Sequence, residues 1–116
     1  MKVVVLDDSE IMCSILKEIV SFMGFEVATF ERIAPFLQSV RCETPDYLIV
    51  DAILQEETNG LEVIEQVRQL PGMEASRYIL LTANPAMFPL RERLHQRQIE
   101  LLTKPCSLED LETVLV

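Results

Sequence analysis

The chain has 116 residues, 49% of them hydrophobic, and a formal net charge of −9 with a sequence pI of about 4.5. That length fits one domain with one core, and so large an apolar share excludes a disordered chain. The acidic balance argues against nonspecific nucleic-acid binding, which needs a basic footprint.

The cysteines Cys13, Cys42 and Cys106 are odd in number and lack metal-ligand spacing, so they read as reduced thiols. With no signal peptide at the N-terminus, that reading implies a cytoplasmic protein. No apolar run approaches membrane-spanning length, and no membrane contact is expected.

Residues 2–6 read as a first strand that ends in Asp7-Asp8. Ser9 is placed to cap the next helix, because its hydroxyl can accept a free backbone N–H of the first turn. Ile11, Met12, Ile15, Leu16, Ile19, Val20 and Met23 give that helix a broad apolar stripe. Gly24 suits the left-handed position that ends it. Phe25 to Phe30 has the alternation of a short strand. A helix is predicted from about Glu31 to Val40, with Pro35 inside its first turn or the start delayed.

Tyr47-Leu48-Ile49-Val50-Asp51 is four apolar residues running into one carboxylate. Such a run reads as a strand buried on both faces, as in a parallel sheet under helices. A polar loop, Gln55 to Asn59, leads to Gly60, and Leu61, Ile64 and Val67 then mark a helix stopped by Pro71-Gly72. Tyr78 to Leu81 is the fourth strand.

After Thr82, Asn84-Pro85 looks like a helix start, but Pro89 four residues on removes an amide and clashes with the preceding turn, at about 3 kcal/mol. A cap gains only about 1 kcal/mol. Residues 84–88 are therefore predicted to be a loop or a single turn, with regular helix from near Pro89 through Leu94. Ile99 to Thr103 is the fifth strand, ending at Lys104-Pro105. Ser107 and Asp110 make a capping box for a last, short helix. That shortness suggests a piece cut from a longer protein.

Five β-α repeats predict a parallel sheet with helices on both faces and right-handed crossovers. In open α/β sheets, ligands bind at the carboxyl ends of the strands. Here those ends carry the acid pair Asp7-Asp8, Asp51, Thr82 and Lys104. Each alone is ordinary, a cap, a turn residue or a solvated lysine. Together they describe a cation and phosphate site. Three adjacent carboxylates repel unless a cation relieves them, and Mg²⁺ takes carboxylates, water and phosphate oxygens. Asp51 is the candidate nucleophile toward phosphorus, with Lys104 and Thr82 as partners of the transferring group.

This pattern resembles the receiver domain of two-component response regulators along essentially the whole chain. The residues that carry the resemblance are Asp7-Asp8, Asp51, Leu81-Thr82-Ala83 and Lys104-Pro105. It implies a strand order of 2-1-3-4-5 and a signalling domain, residues 1–116, that is not an enzyme acting on an external metabolite. It implies Mg²⁺ held by Asp7, Asp8, Asp51 and the Ile53 carbonyl, and phosphoryl transfer to Asp51 from a histidine kinase or phosphotransfer protein. It also implies Thr82 and Lys104 against the phosphoryl group, a cis Lys104-Pro105 peptide, and room for a homodimer.

The chain departs from the family pattern in three places. It lacks a proline after Leu54, its glycine lies nine rather than eight positions beyond Asp51, and Leu101 stands where a Tyr or Phe switch is common. Ile53 and Asn84 take the two variable positions that tune water access. Two other classes stay open. One is an aspartate-nucleophile phosphatase, although Asp7-Asp8-Ser9 lacks the D-x-D-x-T spacing. The other is an interaction module that keeps the fold without the phosphate. His95 and the arginines 91, 93 and 97 read as solvated.

Overall fold

A computed structural model describes residues 1–54, 58–104 and 106–115, without the side chain of Pro85. The elements are β1 (Lys2–Leu6), α1 (Glu10–Phe22), β2 (Glu26–Phe30), α2 (Ile33–Cys42), β3 (Tyr47–Asp51), α3 (Gly60–Arg68), β4 (Arg77–Thr82), a 3₁₀ helix (Pro85–Leu90), α4 (Arg91–Gln96), β5 (Ile99–Thr103) and α5 (Leu108–Val114). All five strands are parallel, in the order β2-β1-β3-β4-β5, as expected.

The continuous apolar strands divide their side chains between two cores, because successive residues point to opposite faces. On one face Val4, Leu6, Leu48, Val50, Leu80 and Leu101 pack with Phe36 of α2, Ile64 of α3 and Leu94 of α4. On the other, Val3, Val5, Ile49, Ile79 and Leu81 pack with Leu16 and Val20 of α1 and Leu111 of α5. No helix among the described residues is long and apolar enough to cross a membrane.

Several local expectations hold for the stated reasons. The Ser9 side chain accepts the Met12 N–H. Gly24 has φ +94°, the left-handed turn that ends α1. The Ser107–Asp110 capping box is present in both directions. Pro35 lies in the first turn of α2, which starts at Ile33, two residues later than predicted.

Other expectations are corrected. The stripe on α1 is narrower than its sequence suggested. Ile11 is 73% exposed and Ile15 faces solvent too, while Cys13, Leu16 and Val20 are buried. Residues 85–90 form a 3₁₀ helix rather than a loop or one turn, while α-helix begins at Arg91, two residues after Pro89. Pro89 has no N–H for an α ladder and its ring would clash there with the carbonyl four residues back, so regular α-helix starts only beyond it. Within the 55–59 loop, residues 55–57 lie outside the described residues, as does Pro105 with the expected cis peptide.

Candidate functional site

The sheet register brings the chemistry-bearing residues to one edge. Leu6 is level with Val50, Asp51 with Leu81, and Thr82 with Thr103. Asp7, Asp51, Thr82 and Lys104 therefore leave their strands at nearly the same height. The chain just beyond each strand is tied to its neighbour. Asp7 N–H donates to Phe30 O at 3.0 Å, Ala52 N–H to Leu81 O at 2.7 Å and Lys104 N–H to Thr82 O at 2.8 Å.

Lys104 lies at the centre. Its Nζ is 2.7 Å from Asp7 Oδ2 and 3.1 Å from Asp51 Oδ2, so one ammonium bridges two buried carboxylates. The other oxygens are oriented by backbone. Asp7 Oδ1 accepts the Ser9 N–H at 2.9 Å, and Asp51 Oδ1 accepts the Ile53 N–H at 3.2 Å. Thr82 is buried, and its Oγ1 accepts the Asn84 N–H at 3.0 Å, which leaves the hydroxyl proton to be donated elsewhere.

Burial raises the Asp51 pKa above its ordinary value, and the charge of Asp7 adds to the rise. Lys104 and the Ile53 N–H oppose it. For Lys104, burial alone would lower the pKa, but contact with Asp7 and Asp51 outweighs it and the ammonium is held above its ordinary value.

Asp7, Asp8 and Asp51 each offer a carboxylate oxygen, and these atoms lie within 4.8 Å of one another. An all-oxygen, anionic donor set of this kind suits a hard divalent cation. The Ile53 side chain is exposed at the mouth of the site. Leu101 is not in the cluster. It is buried beneath it, in the core that also holds Leu80, Leu94 and Ile99.

His95 and the arginines 91, 93 and 97 are exposed, as expected, and two of them also make ion pairs at the surface. His95 Nδ1 is 2.7 Å from Glu100 Oε1, and Arg97 pairs with Glu65 of α3. None of these groups reaches the acidic cluster. Sequence reasoning missed the supports of the site: the Ser9 and Ile53 amides, the Cys13 thiol 3.2 Å from Asp7 O, and Gly60 beneath Asp51. Gly60 did leave a signal, as the glycine of the family pattern, here nine positions beyond Asp51, but its contact with the Asp51 peptide did not.

Residues 3–116 match the family described as the response regulator receiver domain. The alkaline phosphatase synthesis transcriptional regulatory protein PhoP of Bacillus subtilis (strain 168) is 29% identical over 106 residues. The aligned stretch covers 91% of this chain and 43% of PhoP, so the chain spans less than half of that relative. A CheY-like receiver domain from Methylobacillus flagellatus superposes with a TM-score of 0.86 at 21% identity, over 99% of this chain and 95% of that one. The Vibrio cholerae chemotaxis protein CheY4 gives 0.85 at 23% identity, over 98% and 94%. These two likenesses speak to the fold alone. The family match favours neither the phosphatase nor the bare interaction module.

Proposed function

The chain belongs to the response regulator receiver domain family, and on that premise we propose that Asp51 accepts a phosphoryl group from a phosphohistidine donor, on a histidine kinase or a phosphotransfer protein. The observation that carries this reading is the convergence of Asp7, Asp8, Asp51 and Lys104 at one edge of the sheet, with Thr82 at the end of the adjacent strand. Receiver domains are signalling modules, and residues 1–116 act as one such unit.

An Asp51 carboxylate oxygen attacks phosphorus. An O–P bond forms, the donor's N–P bond breaks, and its electron pair returns to the imidazole. The product is an acyl phosphate. Asp7, Asp8 and Asp51, with the Ile53 carbonyl, would hold Mg²⁺, which when bound supplies positive charge to the phosphoryl oxygens. Lys104 already contacts Asp51 and compensates the added charge, which a neutral side chain could not do. The Thr82 hydroxyl donates to a phosphoryl oxygen. Protonation works against this chemistry, because burial favours the neutral, non-nucleophilic form of Asp51. The Lys104 ammonium opposes that shift and favours the carboxylate form.

Metal removal tests this reading. With a small phosphodonor, labelling proceeds in excess Mg²⁺ and stops when a chelator is added, and the label is lost on treatment with hydroxylamine, as an acyl phosphate is. Labelling that survives both the chelator and hydroxylamine contradicts it.

A further inference from the structure

Gly60 opens α3, and it does so against the backbone of the candidate acceptor. A Cβ built on Gly60 would lie 2.0 Å from the carbonyl oxygen of Asp51, 2.8 Å from its carbonyl carbon and 3.1 Å from Ala52 Cα. These neighbours are main-chain atoms and cannot swing aside as a side chain would. Gly60 does not have a positive φ, unlike Gly24 and Gly72. Conformation therefore leaves the position free to any residue, and space alone demands glycine.

The same contact is bonded. Gly60 N–H donates to Ala52 O at 3.0 Å, while Ala52 N–H donates to Leu81 O at 2.7 Å. The turn after Asp51 is thus clamped between β4 and the first residue of α3. Within it, the Ile53 N–H holds Asp51 Oδ1. The aim of the carboxylate and the placement of the Ile53 carbonyl both depend on this turn.

We propose that Gly60 is a positioning residue for the acceptor site: by lacking a side chain, it lets the start of α3 seat on the Asp51 peptide and fix the carboxylate and the adjoining carbonyl. This rests on the phosphoacceptor reading of Asp51. Gly60 lies one position further from Asp51 than the family pattern places its glycine, and it still meets the Asp51 peptide. Any side chain there must lift α3 from the end of β3 or tilt the Asp51 peptide. Both outcomes misplace oxygen ligands, and loss of the contacts that orient such ligands typically costs about 10–100-fold in metal affinity.

Gly60→Ala tests this beside Asn59→Ala. Asn59 caps α3 through the Glu62 N–H at 3.0 Å. Its loss weakens the same helix end without placing an atom against Asp51. Mg²⁺ affinity is read by NMR titration without phosphodonor, and labelling rate at saturating Mg²⁺ with one. Gly60→Ala is expected to weaken Mg²⁺ binding and slow labelling by roughly tenfold or more, while Asn59→Ala lowers thermal stability and leaves both readouts at wild-type values. Equal effects from the two variants, or wild-type values for Gly60→Ala, overturn the proposal.

If Gly60→Ala does not fold, the wild-type titration decides. The Gly60 amide should shift on the same binding curve as Asp51 and Ile53, and an unmoved Gly60 amide overturns the proposal. Wild-type Mg²⁺ binding without labelling would sink the acceptor reading alone, with Gly60 then judged on the Mg²⁺ arm. Absence of both would sink both.

Discussion

Lys104 at 2.7 Å from Asp7 and 3.1 Å from Asp51 is the residue-scale fact on which the site turns. Removing one partner of such a buried pair leaves an uncompensated charge, a far larger penalty than losing a surface pair. The thiols respond to the same surroundings. Burial first, and then the charge of Asp7, push Cys13 up to about 11, and burial raises Cys106 as well. Thiolate is the reactive form. At mildly alkaline pH, iodoacetamide should therefore modify the exposed Cys42 alone in the folded protein, and all three cysteines after denaturation. Rapid native alkylation of Cys13, followed by peptide mass mapping, would contradict this picture of the site's floor. At this scale Asp7, Asp51, Thr82 and Lys104 were legible, because each ends an apolar strand. The Ser9 and Ile53 amides were not, since their roles depend on turns that bring backbone beside carboxylate.

At the scale of elements, the segment after β4 differs most from a regular α-helix. Asn84 Oδ1 accepts the Ala86 N–H, and the Met87 N–H reaches Asn84 O, so the 3₁₀ helix begins on a side-chain cap beside Thr82. Short 3₁₀ pieces bond less well than α-helix. Amide exchange across Ala86 to Phe88 should accordingly be much faster than across Tyr78 to Leu81, and slow exchange there would argue against a loosely held segment. Leu101 bears on the same region from below. It has no ring to swing and no hydroxyl to expose, and it is already buried against the α4 side of the sheet. A phosphoryl mimic should then shift strand β5 resonances less in the wild type than in Leu101→Tyr. The two prolines signalled the break in the sequence. The choice of 3₁₀ over loop was not legible, because contacts such as that of Met87 with the core are set by the tertiary fold. The exposure of Ile11 on α1 was hidden for a like reason: an apolar stripe shows which residues could be buried, and only the neighbouring elements decide which are.

The whole molecule is one sheet between two cores, and the strands belong to both. Phe36 fills one core, edge-on to Phe30 at 6.2 Å between centroids, and Leu111 fills the other. Phe36→Ala should cost about 3–5 kcal/mol and Leu111→Ala about 2–5 kcal/mol. Each should shift a single unfolding transition in urea, since disrupting either core strips one face from the same strands. Two resolved transitions would show that the faces unfold separately. The fold as a whole was legible because continuous apolar strands alternating with amphipathic segments leave few arrangements other than a parallel sheet with helices on both faces. The strand order was not legible from periodicity, and came from the family resemblance. Net charge of −9 belongs to this scale too, and it sets the three carboxylates of the site within a generally acidic surface.

The most direct test of the account is the intact mass of wild type and Asp51→Asn after exposure to a small phosphodonor in Mg²⁺, with circular dichroism confirming that both are folded. The wild type should gain the mass of one phosphoryl group and the variant none. Equal labelling of the two proteins would remove Asp51 as the acceptor, and with it the central claim.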